Sequence, residues 1–128
     1  MSDQPLCTPS APEKTRLAAF MRVLGHEKLD YKAFWQWSID NPEKFWDALW
    51  DFTGVIGDKG DVILSNPKSM WESEFYPNGK INYAENLLRR RDDAPAMIFR
   101  DEQGRERTLS FKDIYVQVAR WQKQLKAW

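Results

Sequence analysis

Few residues of this chain are of types that do chemistry, and their spacing decides what they can do. Gly54, Gly57 and Gly60 recur as G-x-x-G-x-x-G. This is neither the dinucleotide fingerprint nor a P-loop, because no Lys-Ser/Thr pair comes after it. A turn-rich loop is expected there. Asp58 and Asp61 flank the loop as candidate carboxylates for a divalent ion, but the other oxygen ligands of a calcium loop are missing. His26 is the only histidine and falls just past an expected helix end. With no Cys or second His beside it to build a metal site, it is expected as a surface or capping residue. The single Cys7 lies in a tail with prolines and serines, cannot form an internal disulfide and has no activating neighbour. Arg89, Arg90 and Arg91 have the planar forks that clamp phosphate. Three consecutive helix residues fan out over about 200°, however, so they cannot share one ligand. A solvated helix end, with Asp92 and Asp93 as partners, is the expectation. One histidine without an orienting neighbour cannot serve a Ser-His-Asp or Cys-His set. No catalytic, cofactor-binding or metal-binding residue is therefore assigned in this chain.

Composition narrows the classes further. The 128 residues carry 19 basic and 19 acidic side chains, which cancel, so there is no electrostatic footprint for nucleic acid or an anionic membrane. No apolar run approaches the length that spans a bilayer, and the first residues have no hydrophobic signal core. A cytoplasmic protein without nucleic-acid or membrane partners is expected. Seven tryptophans are present, with Trp35, Trp37, Trp46 and Trp50 close together. Stacking on single strands needs excess positive charge, so these rings are read as filling a core or an interface between domains.

The elements that must position these residues are set by periodicity and punctuation. Residues 1–12 carry Pro5, Pro9 and Pro12 and little that is apolar, which predicts a flexible leader. From Glu13, the series Leu17, Phe20, Met21, Leu24 is one helix face, and Gly25 is placed to end it. Asp30 caps a second helix bearing Tyr31, Phe34 and Trp35. Asn41 and Pro42 start a third, ended by Gly54, with Phe45, Trp46, Leu49 and Trp50 as one broad stripe. Val62, Ile63 and Leu64 predict a short strand. "YPNGK" is a turn, and Asn82 with Glu85 starts a helix whose last turn holds Arg89, Arg90 and Arg91. "AMIFR", "DEQG" and "RERTLS" predict a hairpin. The strand "AMIF" is nearly continuously apolar, as strands are when both faces are covered. Ser110 caps a terminal helix whose apolar face is Phe111, Ile114, Val118, Trp121 and Leu125. No Gly, Asn or Pro signals the end of that helix, and a lone hairpin is marginal. On these residues the chain is either whole or the front of a longer protein, α+β in class, with a helix-rich beginning. Its uncovered hairpin edges and terminal helix predict self-association.

Three stretches then carry a likeness. "DYKAFWQWSIDNPEKFWDALWDFTGVIG", "FYPNGKINYAENLLRRRDDAPA" and "FRDEQGRERTLSFKDIYVQVA" together resemble the amino-terminal region of acyl-CoA synthetases of the adenylate-forming superfamily. The run "AENLLRRRDDAPA" is most similar to the acetoacetyl branch. Tyr76, Ile81, Asn82, Asn86, Leu87 and Leu88 fall on the Phe-x-x-x-x-Leu-Asn-x-x-x-Asn-Leu-Leu pattern that short-chain members share, with Tyr76 and Ile81 as conservative departures and Ala84-Glu85 as in the acetoacetyl branch. Beyond the leader over 1–12, the resemblance implies a helical amino-terminal region over 13–94, and over 95–128 the truncated start of the AMP-binding adenylation domain, a larger α/β unit. It implies a whole enzyme that adenylates acetoacetate with Mg·ATP and passes the acyl group to CoA. ATP, Mg and CoA then belong to the full-length enzyme and none to the fragment. The fragment's partner is the remainder of its own adenylation domain, and alone it is inactive scaffolding. Two alternatives stand beside this: another short-chain synthetase, and a stand-alone interaction module using the tryptophan face.

Overall fold

The computed structural model describes residues 9–128; Cys7 and most of the expected leader lie outside them. The chain divides after Lys80 into two compact units, which differ in how much each buries.

The first unit begins with a 3-10 turn, Pro12–Lys14. The first helix, α1, then spans Arg16–Val23 and starts later than the expected Glu13. Thr15 is the reason: its backbone is extended, and its hydroxyl accepts from the Ala18 amide at 3.2 Å while donating to the Pro12 carbonyl at 2.7 Å. A side chain that satisfies a free helix-start amide fixes the N-cap. At the other end Gly25 takes φ 72°. The Gly25 and His26 amides donate back to the Arg22 and Met21 carbonyls at 3.1 and 2.8 Å, closing the helix as a left-handed glycine allows. Helix α2, Tyr31–Asp40, is capped by Asp30 through the Ala33 amide at 2.8 Å. Helix α3, Pro42–Thr53, ends on Gly54 at φ 65°.

Asn41 departs from the expectation. It precedes α3, but its side-chain amide donates to the Trp37 carbonyl at 3.2 Å and makes no cap bond to α3. Its side chain closes α2, leaving Pro42, which has no N–H to satisfy, to open α3.

Phe20, Met21 and Phe34 are buried, and Trp37, Phe45, Leu49 and Phe52 pack against them. Phe20 meets Phe34 and Phe45 edge-on at 6.2 and 5.6 Å, and Phe34 stacks on Trp37 at 5.7 Å. Such pairs add about 0.5–1.5 kcal/mol beyond area burial. The stripe on α3 is therefore two faces rather than one. Phe45 and Leu49 face the helices, whereas Trp46 and Trp50, each one residue further round, meet Phe75 and Tyr76 at 5.1 and 4.7 Å.

The loop after α3 folds back on that second face. It contains β1 (Gly57–Asp58), β2 (Leu64–Ser65) and β3 (Glu74–Phe75), and the unit ends at Lys80, the first residue of β4 (Lys80–Ile81). β2 and β3 are antiparallel, with Leu64 opposite Phe75. Of the expected strand Val62–Leu64, only Leu64 is in the ladder, and it alone of the three is buried. Lys59 anchors the loop, its ammonium reaching the Asp47 and Asp51 carboxylates of α3 at 2.5 and 2.8 Å.

The second unit contains α4 (Tyr83–Leu87), β5 (Pro95–Arg100), β6 (Glu106–Ser110) and α5 (Phe111–Ala127). β5 and β6 form the expected antiparallel hairpin, Ile98 opposite Thr108, with an irregularity between Pro95 and Met97. Asp101 builds its turn by accepting from the Gln103 and Arg105 amides at 3.0 and 2.8 Å. Ser110 and Asp113 make a reciprocal capping box at the start of α5. The class is α+β, helices with small antiparallel strand pairs.

Candidate functional site

The residues singled out for chemistry are mostly occupied with structure. Asp58 accepts from the Gly60 amide at 2.9 Å, and Asp61 accepts from the Asn78 side-chain amide at 2.8 Å. That amide holds the Asp61 carboxyl below the usual aspartate range. Gly54, Gly57 and Gly60 are a helix end, a strand residue and a left-handed turn. The His26 ring packs edge-on against Trp37 at 4.3 Å while its main chain closes α1. Among the described residues no group of three or more His, Cys, Asp or Glu could hold a metal ion. The donors among the described residues do not fit Mg²⁺.

The arginines correct a sequence expectation. Helix α4 stops at Leu87 with Leu88 as its C-cap, so Arg89, Arg90 and Arg91 lie beyond it and not in its last turn. Freed from helical fanning, Arg90 and Arg91 both turn to α5. Their guanidinium carbons sit 4.3 Å over the Phe111 ring and 4.1 Å over the Tyr115 ring, four residues apart on one helix face. Arg90 also pairs with Asp92 at 3.0 Å, which lowers the Asp92 pKa. The expected partner Asp92 is right for Arg90, whereas Asp93 lies 3.5 Å from Lys112. The cation–π seats were not read from sequence, though Phe111 and Tyr115 at i, i+4 were their signal. The Asp47–Lys59–Asp51 clamp was missed as well, and its signal was two aspartates one helical turn apart. Both carboxylates raise the Lys59 pKa, the Asp47 hydrogen bond most.

The feature with functional content is the surface that the second unit leaves open. From Ile81 to Trp128 no residue is buried. Met97, Ile98 and Phe99 on β5 are 58, 64 and 61% exposed, although their run has the composition of a strand covered on both faces. Met97, Phe99 and Leu109 form the floor of a concavity of about 550 Å³, with Asp101, Arg105, Glu106 and Arg107 around it. Trp121 and Leu125 on α5 are 65 and 61% exposed. An apolar centre with a charged rim has the anatomy of an interface. Among the described residues no helix is long and apolar enough to cross a membrane.

Comparison with known proteins places this arrangement. Residues 31–87, from the first residue of α2 to the last of α4, match a family described as acetyl-coenzyme A synthetase N-terminus. The acetoacetyl-coenzyme A synthetase of Rhizobium meliloti (strain 1021) is 33% identical over 98% of this chain and 20% of its own length. The chain belongs to the acyl-CoA synthetases by this amino-terminal region. The malonamoyl-CoA synthetase vrtB of Penicillium aethiopicum is 28% identical over 92% of the chain and 18% of its own length. The acetoacetyl-CoA synthetase of Xenopus tropicalis is 30% identical over 66% and 13%. The chain thus spans about a fifth of the length of the curated relatives it matches over most of its residues. No solved structure gives a significant match. The acyl-CoA synthetase homology runs through both compact units, since α4 lies in the second.

Proposed function

We propose that this chain is the amino-terminal part of an acetoacetate–CoA ligase, and that its work is to frame the adenylation domain. The whole polypeptide would activate acetoacetate with Mg·ATP as the acyl-adenylate, releasing pyrophosphate, and the CoA thiol would then displace AMP. A mixed anhydride turns a carboxylate oxygen, a poor leaving group, into part of a good one. The first unit supplies a packed helical scaffold. The second supplies a hairpin and a helix for the edge of a larger α/β domain, and the remainder of the polypeptide is the partner that covers them.

The observation that carries this reading is a unit with capped helices and a paired hairpin but no buried residue from Ile81 to Trp128. Sheet faces and helix stripes are stable when another layer covers them. The acetoacetyl-CoA synthetases among the relatives favour acetoacetate, and the malonamoyl-CoA synthetase keeps a second short-chain acid as the rival substrate.

Acid-dependent exchange of labelled pyrophosphate into ATP tests it. The polypeptide encoded by the complete reading frame that contains this chain should exchange with acetoacetate faster than with acetate or malonamate. The 128-residue chain by itself should give the no-protein rate. Exchange by that chain would contradict the scaffolding role, and a faster acid would reassign the substrate.

A further inference from the structure

The first unit carries a projecting knob and a groove of opposite character. Met70 and Trp71 are 95 and 87% exposed, adjacent, and the most exposed large apolar side chains in the described chain. Their loop is not slack. The Ser73 hydroxyl donates to the Ser69 and Asn66 carbonyls at 2.5 and 2.9 Å, the Asn66 side-chain amide donates to the Glu72 carbonyl at 3.3 Å, and the Ser73 amide donates to the Ser69 carbonyl at 2.9 Å. Asn66 also holds φ 47°. A pinned loop that presents a tryptophan to water has met much of the ordering cost of binding in advance.

The groove lies between the helices. Leu17, Phe34, Trp35, Leu49 and Phe52 line about 370 Å³, a space suited to one large side chain. Arg16 stands at its edge, its guanidinium carbon 5.7 Å from the Phe52 ring centre. Arg16 makes no salt bridge among the described residues, and neither does Glu72, the residue directly after Trp71.

We infer that the first unit binds a second copy of this chain, Trp71 of one molecule entering the helical groove of the next and Glu72 meeting Arg16. Two features choose this occupant. The knob is aromatic and the groove is lined by aromatics, and an anion without a salt bridge beside the knob matches a cation without one beside the groove. Knob and groove are different patches, so the contact runs head to tail and extends instead of closing as a two-fold dimer. It lies wholly within the first unit and uses none of the second unit's open faces.

Sedimentation equilibrium tests it. For a chain of 15.1 kDa, the weight-average mass should climb with concentration without levelling at the dimer. Trp71→Ala should raise the dissociation constant at least about tenfold, and Arg16→Glu should do likewise. Both sites are exposed, so circular dichroism should stay unchanged. Arg16→Glu combined with Glu72→Arg should restore association by re-forming the pair with its signs exchanged. A monomeric wild-type chain at every concentration would overturn the inference. So would association that survives Trp71→Ala, and its loss in Trp121→Glu alone would put the contact on the second unit instead.

Discussion

The Tyr76 hydroxyl donates to the main-chain carbonyl of Trp46 at 2.6 Å, tying the end of a long loop to the middle of α3 across 30 positions of sequence. The Tyr76 ring lies against Trp50 at 4.7 Å, and its backbone is held at φ 51°. Burial raises the phenol's pKa. Tyr76→Phe keeps the ring and removes the bond, so the first unit should lose about 1 kcal/mol, read as a lower urea midpoint with an unchanged slope. An unchanged midpoint would show that water replaces the phenol without loss.

Gly60 and Gly104 sit at nearly the same positive φ, 72° and 77°, yet should respond differently to alanine. A Cβ on Gly60 would lie 2.9 Å from the Asn78 Cβ and 3.1 Å from its carbonyl carbon, whereas one on Gly104 meets nothing within 4 Å. Gly104→Ala should cost only the left-handed backbone penalty, about 1 kcal/mol. Gly60→Ala should cost clearly more, because Asn78 must also move and with it the bond to Asp61. Equal thermal shifts would contradict this.

The titration behaviour has two edges. Asp61, Asp92, Asp101 and Asp113 all have pKa values lowered from 3.8, by Asn78, Arg90, Arg105 and the Ser110 amide respectively. Their contribution is complete above that value and disappears as the pH falls through the lowered ones. Lys59 is raised from 10.5, so its contribution is complete below that value and is lost as the pH rises through the raised one. Thermal melts should show a plateau between these limits. Lys59→Met should lower that plateau, remove the alkaline fall due to the clamp and leave the acid fall in place. An alkaline fall of the same size in Lys59→Met would refute the assignment.

Much of this was legible in the sequence because local chemistry decides it. Gly25, Asp30, Gly54, Asn82 and the Ser110–Asp113 box do what their residue types and spacing predict, and "DEQG" supplies the turn that joins the hairpin strands. The features that were not legible depend on groups distant in sequence or on a choice between two local partners. Thr15 delays α1 because its hydroxyl finds both Pro12 and Ala18, and Asn41 turns to the helix it ends instead of the one it begins. The α3 stripe reads as one band until Phe75 and Tyr76 arrive to take its second half. The local sequence predicts a helix at the arginines because nothing nearby forbids it, whereas Phe111 and Tyr115, some twenty residues on, draw Arg90 and Arg91 away. The open face of the second unit was legible in composition, since "AMIF" reads as a covered strand.

Amide hydrogen exchange on the 128-residue chain, read residue by residue in dilute solution, tests the central claim most directly. Protection tracks the free energy of local opening. If the second unit is built to be covered by the rest of an acyl-CoA synthetase, the amides of Ile98, Phe99, Val118 and Trp121 should exchange orders of magnitude faster than those of Leu24, Phe34 and Leu49 around the helical core. Equal protection in the two units would show that the hairpin and α5 are stable without a cover, and would contradict the account.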